Sequence, residues 1–488
     1  MEVQVLSRAF TGGQLSTCRG RARPSVVALV VLGAAALALL RIPVATAADV
    51  PDLWQRRSGS DWPCFLGPAG DGTSPETGFF SAEGLRGARV LWHRPIGTGY
   101  AMPTVSRGRL FLFSRHGDRN RLECLRAETG EPLWRFDYAT DYEDLYGYDG
   151  GPRCCPVLDD DRVYVLGAEG LLHCLSVVDG SVAWKLDTMA TFGVVQNFFG
   201  VGSTPVVEGD LLIANIGGSP PEGHDVPPGQ LDRVRGAGSG VVALDKRTGA
   251  ERYRFSDELA SYASPTLATI AGRRWGFVFA RGGLVGFDPA TGTQEFHFPW
   301  RATIRESVNA ANPAVVGDQV LVSETYGPGA ALLRVKPGGC DVVWQDDPKQ
   351  RRKIFQAHWS TPIHHEGFLY GCSGRHSENA ELRCVEWKTG RVAWSEPGLS
   401  RTSLLRVEGH FFCLAEYGEL IVVKANPERF EQVTEIPLLD EPPAPGAEAP
   451  RMLRYPAWAA PILAHGLLYV RGADRLVCIE LARDAGGK

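Results

Sequence analysis

The sequence lacks most of the short motifs that mark a catalytic or metal-binding protein. It contains no C-x-x-C-H, which excludes a covalently attached haem of the c type, and no pair of C-x-x-C motifs, which argues against a zinc site. No G-x-S-x-G occurs between a strand and a helix, and no D-x-[DN]-x-[DN]-G loop is present. The sequence therefore has neither the nucleophile motif of serine hydrolases nor the calcium loop of EF-hand proteins. We therefore expect no catalytic residues and no metal site.

The chain has no excess of positive charge. Lys and Arg number 51 against 56 Asp and Glu, which gives a formal net charge of −5. Beyond the first 23 residues no basic run alternates with aromatic residues, so nucleic acid is not an expected partner. Long helices are missing as well, because no segment after residue 50 carries the 3.6-residue period of an amphipathic helix. The expectation that remains is an all-β protein.

What the sequence does contain is a unit that recurs about every 50 residues. Each copy opens with a small residue and Pro, continues through apolar stretches separated by Gly or Asp turns, and closes with an aromatic strand. Four short strands in a unit of this length are typical of a β-propeller blade. The copies begin at Pro103, Pro156, Pro205, Pro265, Pro313, Pro362, Leu404 (in the place of Pro) and Pro461.

The eight units predict an eight-bladed β-propeller in which the N-terminal strand closes the last blade. The final unit ends at Leu476 to Leu481 without an aromatic fourth strand, and the missing strand occurs upstream, around Trp92. Closure of this kind removes a free sheet edge. We predict that the propeller spans residues 89–488 and that residues 48–88 form an N-terminal extension.

Residues 1–47 have the pattern of a targeting segment. Arg19, Arg21 and Arg23 precede an apolar run from Val26 to Leu40, and an A-x-A-like cleavage site follows. An uncleaved anchor in the inner membrane, over residues 25–47, is the alternative, although the apolar run is shorter than the roughly 20 residues that span a bilayer. Either interpretation predicts an exported protein of the periplasm or cell envelope, in contact with a membrane only through this segment if it is uncleaved.

The blades resemble those of the PQQ-like, or quinoprotein-type, β-propeller family. Residues 241–249 (V-V-A-L-D-K-R-T-G) and 170–184 (G-L-L-H-C-L-S-V-V-D-G-S-V-A-W) match its L-x-A-L-D-x-x-T-G-x-x-x-W repeat. The family includes PQQ-dependent alcohol dehydrogenases, the outer-membrane assembly lipoprotein BamB and many exported bacterial proteins. The resemblance implies either a binding or scaffold protein without a cofactor or an enzyme that uses PQQ and calcium.

Two features bear on the enzyme alternative. PQQ-dependent alcohol dehydrogenases carry a disulfide between adjacent cysteines against the cofactor, and Cys154 and Cys155 are adjacent here. Cys155, however, fills the slot before Pro that small residues hold in other blades, so an ordinary buried cysteine is the other interpretation. The calcium of those enzymes is held by a carboxylate and an amide. Residues of these types near the channel, none in a matching motif, are Glu306, Asn309, Asn312 and Glu324.

The loops that enter the innermost strands predict a ring of side chains around the channel mouth. The residues three positions before each Pro slot are Tyr100, Arg153, Gly202, Tyr262, Ala310, Trp359, Arg401 and Trp458. Aromatic faces and Arg side chains suit a planar or anionic group, and they would also serve to plug the channel and brace the blades. We select Arg153, Trp359, Arg401 and Trp458 as the leading binding residues, with Tyr100 and Tyr262 in support.

A second ring is predicted from the loops between the second and third strands. These charged and aromatic residues would form a polar site or pair with one another, and they include Arg281, Glu324, Tyr326, Arg375, His376 and Glu416. His358 and His376 are close enough in such a ring to consider a metal, although our prediction is that none is bound.

An acidic, tyrosine-rich segment at residues 137–149 predicts either a loop packed on the rim or a surface for a partner or cation. Together these patterns favour an exported, non-catalytic propeller that binds an envelope protein or a small polar ligand. A quinoprotein dehydrogenase is the first alternative. A glycan-binding propeller is a weaker one, suggested by the aromatic residues of the mouth.

Overall fold

The computed structural model describes residues 50–56, 58–227, 229–305, 307–441 and 448–484, all within one compact unit. The predicted signal or anchor at residues 1–47 and Glu306 lie outside the described residues. Within the described part, no helix is long and apolar enough to span a bilayer.

Eight blades of four antiparallel strands follow one another along the chain, and the sheet of blade 7 has a fifth, parallel strand, Thr73–Ser74. From the innermost strand outward, the first four blades are Thr104–Ser106, Arg109–His116, Arg119–Arg126 and Pro132–Ala139; Val157–Asp159, Arg162–Leu166, Leu171–Ser176 and Val182–Asp187; Val206–Glu208, Leu211–Asn215, Val241–Asp245 and Glu251–Phe255; and Thr266–Ile270, Arg273–Phe279, Gly283–Phe287 and Gln294–Pro299.

Blades 5 to 8 repeat this order. They are Ala314–Val316, Gln319–Glu324, Gly329–Lys336 and Gly339–Gln345; Ile363–His365, Phe368–Ser373, Glu381–Glu386 and Val392–Pro397; Thr402–Val407, His410–Ala415, Leu420–Lys424 and Gln432–Glu435; and Ile462–Ala464, Leu467–Arg471, Arg475–Leu481 and Ala88–Pro95. The all-β, eight-bladed prediction is therefore confirmed.

The ring closes as predicted. The outermost strand of blade 8 is Ala88–Pro95, which comes from the N-terminal side of the chain and pairs antiparallel with Arg475–Leu481. Trp92 lies opposite Cys478 in this register. The first and last parts of the propeller thus share one sheet, and blade 8 has the same four strands as the other blades.

The two most regular features of the repeat contact each other between blades. A Cβ added to Gly130 in blade 1 would lie within 3 Å of the Trp92 ring, and Gly249 in blade 3 approaches Trp184 of blade 2 in the same way. Both glycines also have positive φ angles of 72° and 73°, which an L side chain rarely adopts. The closing aromatic of one blade therefore packs on the glycine turn of the next.

The slot before each Pro holds a second set of contacts between blades. The Thr204 hydroxyl accepts a hydrogen bond from the Cys155 backbone N–H, 3.1 Å away, and the Ser264 hydroxyl accepts one from Thr204 N–H, 2.9 Å away. Asn312 and Thr361 continue the series in blades 5 and 6. In blades 3 to 6 the short polar side chain in this slot therefore satisfies a buried amide of the preceding blade.

The segment before the ring covers one end of the central channel. Trp62 exchanges backbone hydrogen bonds with Val105 of blade 1, and Thr73–Ser74 pairs parallel with the innermost strand of blade 7. Between these points Phe65 and Leu66 lie against the channel. Two further short strands of this segment, Phe80–Ser81 and Gly84–Leu85, pair with each other. The channel is consequently a cavity with one open mouth.

The described residues hold few helical elements. One α-helical turn, Thr188–Phe192, begins at Asp187, whose carboxylate accepts from Ala190 N–H, and ends at Gly193. Three 3₁₀ turns are Pro221–Asp225, Leu231–Arg233 and Ser377–Asn379. The first two belong to the long insertion of blade 3, which packs beside blades 3 and 4.

Candidate functional site

The open end of the channel is a cavity of about 440 Å³. This volume is within the range of pockets that bind small molecules. All eight positions predicted from the offset before Pro line it, and every one of them is partly buried and partly exposed. The repeat therefore places one residue from each blade on a common wall. We divide this wall into two arcs by blade number.

The first arc, from blades 6, 7, 8, 1 and 2, is aromatic and cationic. We call it the aromatic–arginine arc, and its members are Trp359, Arg401, Trp458, Tyr100 and Arg153. The ring centroids of Trp359 and Trp458 are 4.6 Å apart, and those of Trp458 and Tyr100 are 4.8 Å apart. At these separations the tilted rings of Trp359, Trp458 and Tyr100 are in contact with one another, so they form one continuous aromatic cluster.

Arg401 is fixed inside this arc by a buried carboxylate. Its guanidinium donates to Glu416 from Nε at 2.9 Å and from Nη2 at 2.6 Å, and the Trp458 indole N–H donates to the same carboxylate at 3.1 Å. The Arg401 guanidinium carbon also lies 4.7 Å from the Trp359 ring centroid. Burial alone would raise the pKa of Glu416, but the hydrogen bonds from Arg401, Ser377 and Trp458 outweigh it and lower the pKa below its ordinary value.

Arg153 holds the tyrosine-rich segment against the other end of the arc. Its guanidinium lies 3.3 Å from the Asp144 carboxylate and donates to backbone carbonyls of Gly151 and Asp149. The Tyr142 ring packs against the Arg153 guanidinium, with 5.7 Å to the centroid. Arg153 is thus a cavity residue that also orders residues 137–149.

That segment is a loop packed on the rim, and the partner or cation surface remains a prediction. Asp144 accepts hydrogen bonds from the backbone of Tyr146, Tyr148 and Asp149, so the loop folds around a single carboxylate. Burial alone would raise the pKa of Asp144, but these N–H groups and Arg153 lower it below its ordinary value. Tyr142 packs inward, whereas Tyr148 is 68% exposed at the mouth.

The second arc, from blades 3, 4 and 5, is lined by smaller groups. We call it the small-residue arc, and its members are Gly202, Tyr262 and Ala310. The Tyr262 hydroxyl accepts a hydrogen bond from the Phe199 backbone N–H at 2.8 Å, so this acceptor is already used within the protein. A Cβ on Gly202 would meet the Tyr262 ring at 2.6 Å. Gly202 therefore leaves room for the Tyr262 ring, and the short side chain of Ala310 leaves its part of the wall open.

The loops between the second and third strands of blades 5 and 6 reach this mouth. Tyr326, Arg375 and His376 line the cavity. The Arg375 guanidinium carbon lies 4.2 Å from the Tyr326 ring centroid. No ion pair or hydrogen bond joins this guanidinium to any residue that the structure describes. Arg375 is therefore a mouth cation that packs on an aromatic ring and forms no ion pair with a described residue, and its charge also acts on the Glu324 carboxylate.

Three predicted residues of the second ring lie behind the wall instead of on it. Arg281 is 4% exposed and donates to the carboxylate of Asp232 and to backbone carbonyls of a neighbouring loop. Glu324 is 1% exposed and accepts from Ser307 and from the Tyr326 backbone, and burial raises its pKa to about 7. Glu416, fully buried, is the third. These groups support the mouth from behind.

The histidines of blade 6 do not form a metal cluster. His358 is directed at the Tyr326 hydroxyl, 3.4 Å away, and its pKa is lowered to about 3 by burial and by the charges of Arg401 and Arg375. His376 is exposed on the same mouth. Among the described residues no group of three or more His, Cys, Asp or Glu side chains is arranged to hold a metal.

The fit of calcium and PQQ can be tested on the same wall. None of the described residues that line the cavity is Asp or Glu, so the hard oxygen ligands that calcium requires are missing from it. The side-chain amides of Asn309 and Asn312 form hydrogen bonds between blades. Cys154 and Cys155 are both free and pack in different hydrophobic clusters. The donor set does not fit a calcium–quinone centre.

Cys155 instead follows the rule of the slot before Pro. The Met102 backbone N–H donates to its thiol, in the same way that amides of other blades donate to Thr and Ser in this slot. Burial raises the pKa of Cys155 to about 12, and this hydrogen bond opposes the rise without reversing it. The thiol is therefore a buried acceptor between blades.

Comparison with known proteins supplies the family. A family model described as "Outer membrane protein assembly factor BamB" matches residues 80–220 and 118–396. The chain belongs to the PQQ-like β-propeller family. The matched span covers blades 1 to 6, in agreement with the repeat. No curated protein matches the chain.

Two solved structures show how this family fold is shared. BamB from Moraxella catarrhalis is 12% identical, with a TM-score of 0.52 over 80% of this chain and 97% of the other. The quinohemoprotein alcohol dehydrogenase from Comamonas testosteroni is 13% identical, with a TM-score of 0.60 over 90% of this chain and 82% of the other. At these identities the similarity concerns the fold alone.

Proposed function

We propose that this PQQ-like propeller is an exported binding protein of the cell envelope that recognises its ligand or partner in the mouth cavity. The single observation that carries the proposal is the common wall, to which all eight blades contribute one equivalent residue around about 440 Å³ of open space. The space is large enough for a small molecule, and the aromatic and arginine side chains around it offer flat faces and hydrogen-bond donors to such a ligand.

Export and envelope location rest on the targeting pattern of residues 1–47 and on the BamB description of the matching family model. We propose an envelope protein and a small polar ligand as equally supported binding partners. Arg153, Trp359, Arg401 and Trp458 remain the leading residues of the wall, with Arg375 added because its guanidinium has no counterion among the described residues.

The enzyme alternative has support in the quinohemoprotein dehydrogenase fold, but the wall opposes it. Without a carboxylate among the described lining residues, a calcium ion and the quinone chemistry that depends on it have no anchor. Reconstitution with PQQ and Ca²⁺ tests this alternative directly. A stoichiometric bound-quinone spectrum with dye reduction by alcohols would overturn the binding-protein proposal.

The proposal itself is tested by blocking the cavity. The full chain is purified from the envelope of cells that make it, as wild type and as Ala310→Trp, which fills the small-residue arc. Ala290→Trp is the matched control because Ala290 lies exposed in the turn between the outer strands of blade 4. Bound compounds and co-eluting proteins are then identified by mass spectrometry.

We expect at least one species to accompany the wild type and Ala290→Trp and to be missing from Ala310→Trp. An identical set of species from all three proteins would show that the cavity is not the binding site.

A further inference from the structure

We infer that a groove on the face of the propeller opposite the mouth binds a phosphate group through the guanidinium groups of Arg56 and Arg89. The groove has a volume of about 460 Å³ and lies where the N-terminal extension meets blade 8. It is separate from the mouth cavity, and the inference goes beyond the proposed function without depending on it.

The topology of blade 8 places this groove away from the mouth. The mouth is formed by loops between second and third strands, whereas the groove is lined by the turn between the first two strands, at His465 and Gly466. Arg89, near the start of the outermost strand, and Glu480, near the end of the third, also line it. Successive turns of an antiparallel meander lie at opposite ends of the sheet, so the groove opens on the other face of the ring.

Two arginines share a single carboxylate inside the groove. Arg56 Nη2 lies 2.5 Å from one oxygen of Glu480, and Arg89 Nη2 lies 2.6 Å from the other. These hydrogen bonds lower the pKa of Glu480 below its ordinary value. A guanidinium carries five N–H donors, and each of the two arginines uses one of them on Glu480. The Arg89 side chain is 74% exposed, so its other donors are open to a ligand.

Glu128 is another acidic residue near Arg56, and it does not saturate the guanidinium. Its Oε1 atom lies 3.8 Å from Arg56 Nε, which is beyond hydrogen-bonding distance, and accepts the backbone N–H groups of Gln55 and Arg56. Of the described residues that line the groove, three are arginines and one, Glu480, is an acid. The groove therefore holds more hydrogen-bond donors than its own acceptors can take.

The third arginine of the groove is Arg483. Its Nη1 atom donates to Ser58 Oγ at 2.9 Å and its Nη2 atom to the buried carboxylate of Glu76, whereas its Nε atom is buried without an acceptor in the described part of the chain. Burial lowers the pKa of Arg483, and the positive charge of Arg56 lowers it further. The two guanidinium groups thus repel each other, and an anion bound beside them would relieve this repulsion.

The arrangement of the donors favours phosphate over a carboxylate. The three arginines come from three separate segments of the chain, so their donors approach the groove from different directions. A carboxylate presents two oxygens in one plane, whereas a phosphate presents its oxygens in a tetrahedral arrangement. Arginine forms strong, charge-assisted hydrogen bonds with phosphate. Glu480 would compete with the phosphate for the same donors.

The test is calorimetric titration of the full chain with inorganic phosphate. Wild type is compared with Arg89→Gln, which removes donors, and with Glu480→Gln, which removes the competing carboxylate and keeps its shape. We expect one saturable site in the wild type, an affinity about fivefold lower in Arg89→Gln and an affinity about fivefold higher in Glu480→Gln, as suits one partly exposed ion pair.

Glu208→Gln is the matched control. Glu208 pairs with one exposed arginine, Arg274, between blades 3 and 4, and no second arginine of the described chain shares its carboxylate. The phosphate affinity of this variant should equal that of the wild type, because freeing a single guanidinium elsewhere does not change the groove.

The phosphate could be free in solution or belong to a lipid headgroup, and sedimentation with vesicles separates these two sources. Stronger binding to phosphatidylglycerol than to phosphatidylcholine vesicles, with the difference lost in Arg89→Gln, would identify a lipid headgroup. Calorimetric binding of phosphate without that difference would identify a soluble phosphate.

Absence of a saturable phosphate site in the wild type would overturn the inference. Unchanged affinity in Arg89→Gln, or an affinity in Glu480→Gln that is not higher than in the wild type, would overturn it as well. None of these results decides the proposed function, which depends on whether Ala310→Trp loses the species bound at the mouth.

Discussion

The two arcs of the cavity wall differ although the backbone presents them in the same way. The aromatic–arginine arc offers large side chains, and one of them, Arg401, is paired with the buried carboxylate of Glu416. The small-residue arc offers Gly202 and Ala310 and leaves space. The position within the repeat decides that a side chain faces the cavity. The residue type at that position then decides whether the side chain forms contact surface or leaves open space.

A second lesson concerns the arginines of the mouth. Arg401 and Arg375 both face the cavity, and only the first has a buried carboxylate beneath it. Charge on a binding surface must therefore be judged after pairing, since a compensated guanidinium is chiefly a structural group. The predictions below separate these two roles and the two arcs.

The largest effect is expected from Arg401→Met. This change leaves the Glu416 carboxylate buried without its cation, and breaking such a pair costs about 3–5 kcal/mol of stability. Urea unfolding of the full chain measures the shift. A loss as small as that of an exposed ion pair would show that Glu416 is adequately held by Trp458 and Ser377 alone.

The next largest difference in unfolding free energy is expected between a large side chain added to the small-residue arc and one added to the hydrophobic core. Ala310→Trp should change the free energy of unfolding by less than about 1 kcal/mol, because the new ring enters open space. Ala331→Trp, at a fully buried position of blade 5, should cost at least about 1–3 kcal/mol through overpacking. Thermal denaturation of both variants provides the comparison. Equal losses would contradict the assignment of open volume to the small-residue arc.

A smaller effect is expected from His358 as pH changes. Its folded-state pKa of about 3 lies below the ordinary value of 6.5, so the unfolded chain binds more protons between these limits. The stability contribution of neutral His358 is complete above pH 6.5 and is lost as the pH falls toward 3. The slope contributed by one such group is at most about 1.4 kcal/mol per pH unit.

His358→Gln should accordingly flatten the decline of unfolding free energy between pH 6.5 and 4, as measured by urea titrations at several pH values. His173, whose pKa burial lowers to about 4, remains in both proteins, so some decline should persist. An unchanged slope in His358→Gln would contradict a neutral, buried imidazole beside Arg401.

The smallest effect on stability should come from Arg375→Met. The side chain has no ion pair with a described residue, so its removal should change the free energy of unfolding by less than about 0.5 kcal/mol. The measurement is the same urea titration as for Arg401→Met. A large loss would mean that Arg375 is a structural group like Arg401.

The sequence was sufficient for the parts that repeat. Pro spacing placed eight residues on one wall, and the missing aromatic strand after Leu481 correctly predicted that the strand around Trp92 completes the last blade. These inferences succeeded because each depends only on an offset within a regular unit. The packing of Trp92 on Gly130 could have been inferred from the same offsets.

What does not repeat could not be read in this way. The covering of one channel end by Phe65 and Leu66 depends on contacts of a segment that occurs once. The positions of Arg281 and Glu324 behind the wall depend on the length and course of single loops. The difference between Arg401 and Arg375 depends on the distance to a carboxylate, which spacing in sequence does not reveal.

The most direct measurement is the mass-spectrometric comparison of wild type, Ala310→Trp and Ala290→Trp, each purified from the envelope of cells that make it. The account predicts a bound species that accompanies the wild type and Ala290→Trp and is missing from Ala310→Trp. The same set of species from all three proteins would contradict it.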